Sequence, residues 1–169
     1  IDEAHHLEGA TTSALSFKIT QSMIDRAIRE LGGPNSGVLG RLLPSLEGLI
    51  APSDYATVNH FIQRATDLAF HFQSIAQGFF QTINQFLLEQ RDGQEIGMYA
   101  HQERSLPATR TQPAWADVEA AWEEAESSLL PLIEIIAQLI QALGDLRESL
   151  PEESDDPFSN LSNLYRRLS

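Results

Sequence analysis

Two stretches of this chain carry apolar residues at steps that alternate three and four without a break. The first ladder reads Tyr55, Val58, Ile62, Ala65, Ala69, Phe72, Ala76, Phe79, Ile83, Phe86. The second reads Val118, Trp122, Ala125, Leu129, Leu132, Ile136, Leu139, Leu143, Leu146, Leu150. A helix turns once per 3.6 residues, so such steps keep one apolar seam facing a partner along the whole length. The spacing predicts one helix from Ser53, as N-cap after Pro52, to about Gln90, and a second from about Pro113 to about Ser149. At 1.5 Å per residue each rod is about 50 Å long. Two rods joined by one connector pack most simply as an antiparallel hairpin. Further apolar residues flank the seams: Phe61, Leu68, Phe80 and Leu87 on one rod, and Leu130, Ile133 and Ile140 on the other. Each rod should therefore meet more than one neighbour. The expected fold is mainly α: a long antiparallel helical hairpin within a helical bundle, with a minor β element.

The shorter segments fill in that bundle. Leu15, Phe17 and Ile19 alternate with Ser16 and Lys18, a period of two that suggests a short strand. Thr20 can cap a helix that carries Met23, Ile24, Ala27, Ile28 and Leu31, and Gly32 can end it. Gly32 to Gly37 reads as a loop, followed by a helix from Val38 to about Ile50 that Pro44 should bend. The connector, Arg91 to Gln112, holds two candidate strands at 98–101 and 108–111. An acidic linker at 148–156 precedes a last helix that starts at Asp156 with Pro157 and shows Phe158, Leu161, Leu164, Tyr165 and Leu168 on its apolar side. Pro131 should kink the second rod, and Gly78 and Gly144 each weaken their helices by about 1 kcal/mol relative to alanine.

Composition narrows what such a bundle can bind. The net charge is -13 and the pI about 4.6, and of the basic residues only Lys18 is not arginine. Gripping duplex DNA by its phosphates usually requires a basic face, which this chain lacks in bulk. Any contact with nucleic acid comes through a few local arginines, or the main grip lies elsewhere. The chain has no cysteine, so disulfides, thiolate zinc sites and iron–sulfur ligation are excluded within it. No uninterrupted apolar run reaches the roughly 18 to 20 residues of a membrane span, and the opening residues show no signal-peptide pattern. Membrane association is not expected, and a cytoplasmic, bacterial setting is.

One motif carries chemistry. Ile1-Asp2-Glu3-Ala4-His5-His6 matches the DEAH form of a Walker B element. An acidic side chain at the end of an apolar strand can hold the Mg²⁺ that bridges nucleotide phosphates, and a second carboxylate beside it can activate the attacking water. The motif gains weight from its sequence context: Asp-Glu-Ala-His-His-Leu-Glu, then a helix of small residues, a strand-like Leu-Ser-Phe-Lys-Ile, a capped helix and long amphipathic rods.

In that combination the chain resembles the superfamily 2 DNA helicases of the DinG/XPD group, whose DEAH box is followed at once by a helical insertion, the Arch. The resemblance implies that residues 1–13 end the first motor domain and that 14–169 form an Arch-like insertion. It also implies that Asp2 coordinates Mg²⁺, that Glu3 is the catalytic base and that His5 couples nucleotide state to the motor. The implied parent is an ATP-dependent DNA helicase of repair or recombination, using ATP and Mg²⁺. Its partners would be single-stranded DNA and the other helicase domains. An iron–sulfur cluster, if the parent holds one, would lie outside this segment.

Arg91, Arg104 and Arg110, with Trp115 beside the connector, are the candidates for contacting DNA in an assembled passage. Scattered charges on a solvated loop are the plainer account of the three arginines. A phosphate-cradling Gly-x-x-x-x-Gly-Lys-Ser/Thr loop is missing. Gly32 to Gly37 comes nearest but is followed by Val38-Leu39, so the segment alone is expected to be catalytically inactive. Set against the helicase reading is a non-enzymatic helical-bundle interaction module, in which Asp2 and Glu3 merely favour a helix start. His60 and His71 fall at surface or boundary positions of the first rod, and Trp122 falls on the seam of the second, a core position.

Overall fold

The computed structural model describes residues 19–90, 107–146 and 155–169. The six helices among them are α1 (Gln21–Leu31), α2 (Gly37–Leu46), α3 (Pro52–Gln90), α4 (Pro107–Arg110), α5 (Pro113–Leu146) and α6 (Asp155–Leu168). The fold is mainly α. Among the described residues the sole β feature is an isolated antiparallel bridge, Gly33 to Ser36, inside the α1–α2 turn.

The two ladders form α3 and α5, which pack on each other more extensively than any other pair of helices. Ring pairs set their register. Phe79 faces Trp122 and Phe86 faces Trp115, each pair 5.3 to 5.4 Å between centroids. The pairs lie seven residues apart on both helices and in opposite order, so the hairpin is antiparallel with a two-turn repeat. At its far end Gln90 Nε2 donates to Gln112 Oε1 across the tip.

Three helices wrap the near half of this hairpin. Helix α1 lies along α3, α2 packs on α1, α3 and α6, and α6 packs on α5 and α2. A single apolar core runs through this base. Leu31, Leu39, Leu42, Leu46, Ile62, Leu132, Ile136, Leu139, Leu161 and Leu164 are its largest fully buried members. Up to Ala76 the seam of α3 belongs to this core; beyond it α3 and α5 project as a two-helix stalk, with Phe86, Val118 and Ala125 buried between them.

Local chemistry explains the helix ends. Thr20, in extended conformation, accepts from the Met23 amide with Oγ1 at 3.3 Å, and Gly32 at φ 75° closes α1 by donating its N–H to the Ile28 carbonyl. Gly33 then sits against Thr66, where an added Cβ would meet Thr66 Cγ2 at 3.2 Å. Further along, Gln73 Nε2 donates to Asp25 Oδ1 at 2.8 Å. These two contacts fix α1 antiparallel to α3, with its first turn pointing toward the stalk. At the other end of α1, Glu30 pairs with Arg167 of α6 at 2.8 Å, which ties the first described helix to the last.

Several boundaries differ from the sequence reading. Ser53 is not the N-cap of α3. The helix begins at Pro52, and the Ala51 carbonyl accepts from Asp54 and Tyr55, because proline's fixed φ suits the first helical position and its missing N–H costs nothing there. Helix α2 stops at Leu46 rather than near Ile50, since Gly48 at φ 74° turns the chain away. Of the β element, 108–111 is not a strand: residues Pro107–Arg110 are a short helix, again with proline first. The candidate strand at 98–101 and nearly all of that at 15–19 fall outside the described residues.

Helix α5 is long and apolar enough, by length and composition alone, to cross a membrane, with a mean hydropathy of 1.6 over its most apolar window. Glu134, Gln138, Gln141 and Asp145 interrupt that stretch and are exposed, while Leu132, Ile136, Leu139 and Leu143 are buried in the base core. Pro131 is also exposed, and so is Ser127, whose carbonyl the proline cannot engage, which leaves that acceptor within reach of water.

Candidate functional site

Asp2, Glu3, His5, Arg91 and Arg104 lie outside the described residues. The two remaining candidates, Arg110 and Trp115, are brought to the same place, the far tip of the hairpin. Arg110 is the exposed last residue of α4, which packs on α5. Gln112 links the two, its amide donating to the Thr109 carbonyl and its carbonyl accepting from the Trp115 amide at 3.0 Å.

Trp115 is half-buried, and both of its recognition features are engaged. Phe86 meets it at 72°, edge to face, and its Nε1 donates to Glu119 Oε1 at 2.8 Å, one turn along the same helix. This indole serves first to lock the tip, where amphipathic aromatic rings commonly sit with one apolar side and one bonded nitrogen.

Trp122 departs from its expected place. It is on the seam and packs on Phe79 at 5.4 Å and 58°, yet 47% of it is exposed. The ladder places it correctly on the face toward α3, but a ladder carries no information about where the surrounding helices end. Trp122 lies beyond α1, α2 and α6, and two helices alone cannot enclose an indole. Phe80, packed on Phe79 at 5.4 Å, extends the same aromatic cluster.

The electrostatics of the stalk are one-sided. Between Pro113 and Ser128, α5 carries Asp117, Glu119, Glu123, Glu124 and Glu126, all exposed, and neither lysine nor arginine. The described arginines other than Arg110 all lie in the base: Arg26 and Arg29 on α1, Arg41 on α2, Arg64 on α3, and Arg166 and Arg167 on α6. The shaft therefore repels phosphate, and Arg110 is the one described cation near the tip. His60 and His71 are exposed, and no group of three metal-ligating side chains occurs among the described residues.

Two concavities among the described residues bear on the candidate site. An open groove of about 490 Å³ runs along the stalk between Gln81, Thr82, Gln85, Phe86, Ala114 and Asp117. A smaller one of about 110 Å³ lies at the base between α5 and α6, lined by Ile140, Leu143, Gly144, Phe158, Leu161 and Ser162. Neither gathers the acid, base and nucleophile that a reaction needs. No protein family, no curated protein and no solved structure matches this chain.

Proposed function

We propose that this chain is the Arch-like helical insertion of a DinG/XPD-type ATP-dependent DNA helicase, and that it shapes the passage for single-stranded DNA rather than performing the chemistry. The observation that carries this reading is an order of parts. The DEAH-like residues Asp2 to His5 are followed, from Ile19 on, by a helical base and then by a stalk that projects from it. The Glu30–Arg167 pair is consistent with it, because it holds the first described helix beside α6, as suits a module set into another domain. In the parent, Asp2 would hold the Mg²⁺ of the nucleotide, Glu3 would take the proton of the attacking water and His5 would pass nucleotide state to the motor. The insertion contributes a rigid arm. Its acidic shaft keeps the DNA backbone off α5 and leaves the connector, with Arg91, Arg104 and Arg110, as the place where the strand is met.

The interaction-module reading keeps one specific support, the exposed apolar side chains Phe70, Trp122 and Leu130. Excising the stalk from the full-length protein separates the two. In the helicase reading, a variant in which a short Gly-Ser turn replaces the chain between Gly78 and Trp122 keeps DNA-stimulated ATP hydrolysis but loses strand separation. Unwinding at the unaltered rate would exclude the role in the strand passage.

A further inference from the structure

The exposed aromatic residue of the stalk stands in a pattern. On α5, Glu119, Trp122, Glu123 and Glu126 are spaced three, one and three apart, which puts them on one helical face, and Leu130 follows one turn further. All five are exposed, Trp122 by 47% and Leu130 by 59%. Trp122 and Leu130 are thus set about two turns apart, roughly 12 Å, with carboxylates between and around them.

From this pattern we infer that the exposed face of α5 running from the stalk onto the upper base is a docking surface for a basic amphipathic helix of another polypeptide, with apolar anchors seated on Trp122 and Leu130 and lysines or arginines against Glu119, Glu123 and Glu126. Charge decides the occupant. Nucleic acid is repelled by the same carboxylates. A second copy of this chain would bring an equally acidic stalk. Residues 1–18 carry Asp2, Glu3 and Glu8 against Lys18 and are acidic too. A cationic helix alone satisfies both features: apolar contact with the indole, strengthened by cations near its face, and long-range steering by the acidic shaft. The inference is independent of the helicase reading, because it uses no residue of the DEAH box.

The test uses the full chain carrying Trp115→Phe, which leaves Trp122 as the sole tryptophan. The probe is a synthetic amphipathic helix with a lysine–arginine polar face and a leucine apolar face; its glutamate counterpart and oligo-dT serve as comparisons. The cationic helix should shift Trp122 emission to the blue, with an affinity that falls as salt rises. Affinity, read for every variant from the fluorescence anisotropy of a dye-labelled probe helix, should drop at least about tenfold, or about 1.4 kcal/mol, in Trp122→Ala and in the combined Glu119→Gln, Glu123→Gln, Glu126→Gln variant, which keeps side-chain shape. The glutamate helix and oligo-dT should leave the emission unchanged. Undiminished binding to the glutamine variant would overturn the inference. So would a Trp122 shift with oligo-dT, or a concentration-dependent doubling of mass that Trp122→Ala abolishes.

Discussion

Phe79 and Trp122 meet at 5.4 Å, tilted by 58°, across the α3–α5 seam just where the helical base gives way to the bare stalk. The same hairpin is therefore a core element below this pair and a solvated two-helix arm at and above it. Substitutions along one seam should report that change of environment.

Leu132→Ala, at a position with no exposure, should cost about 3 kcal/mol through lost burial and the cavity left behind. Trp122→Ala should cost only about 1 kcal/mol, since half of the indole already meets water and no third helix closes over it. Chemical denaturation midpoints at constant slope measure both. Equal losses at the two sites would show that the stalk is as enclosed as the base.

Glycines in two backbone settings should respond with opposite signs. Gly78 and Gly144 are helical, and an added Cβ meets nothing within 4 Å at either, so Gly78→Ala and Gly144→Ala should each stabilise by about 0.5 to 1 kcal/mol. Gly37 sits at φ 65°, and a Cβ there would lie 2.6 Å from the Gly32 Cα, so Gly37→Ala should destabilise by more than the helical pair gains. Thermal melting of the three variants shows the signs directly.

The Arg167–Glu30 pair joins α6 to α1 at 2.8 Å, but both side chains are about half exposed, at 51% and 41%. A double-mutant cycle with Arg167→Ala and Glu30→Ala should give a coupling of less than about 1 kcal/mol that shrinks in high salt. A larger, salt-insensitive coupling would show that the pair is shielded within an assembly.

Arg110 is the one described cation beside the tip. In the full-length protein, Arg110→Ala should weaken binding of single-stranded DNA by a few-fold and lower its salt dependence, while Arg64→Ala in the base should change neither. Filter binding over a salt series reads both; equal effects at the two positions would place the DNA elsewhere.

How far the sequence led depends on how local each determinant is. The ladders placed α3 and α5 because seam spacing is a property of one helix at a time, and Thr20 and Gly32 marked α1 because caps are local too. Ser53 misled because an eligible cap residue followed Pro52, and the proline's fixed φ took the first helical position. Residues 108–111 lacked any periodicity, but Pro107 ahead of them was a helix-start signal of the kind that also opens α3 and α5. Trp122 was assigned to the core because its neighbours in space, or their lack, depend on how far α1 and α6 reach. Of the candidate site, Arg110 and Trp115 do share the tip, but Trp115 spends its nitrogen on Glu119, a contact at the i to i+4 spacing that could have been read beforehand.

If Asp2 and Glu3 belong to a DEAH box, the helices after them serve that motor, and the nucleotide chemistry of the whole protein must depend on Glu3. The most direct measurement is DNA-stimulated ATP hydrolysis by the full-length protein, with and without Glu3→Gln. Hydrolysis should collapse while ATP still binds, as expected when the base is lost and the phosphate site is kept. An unstimulated protein, or a rate unchanged by the substitution, would contradict the helicase reading and leave the helical interaction module in its place.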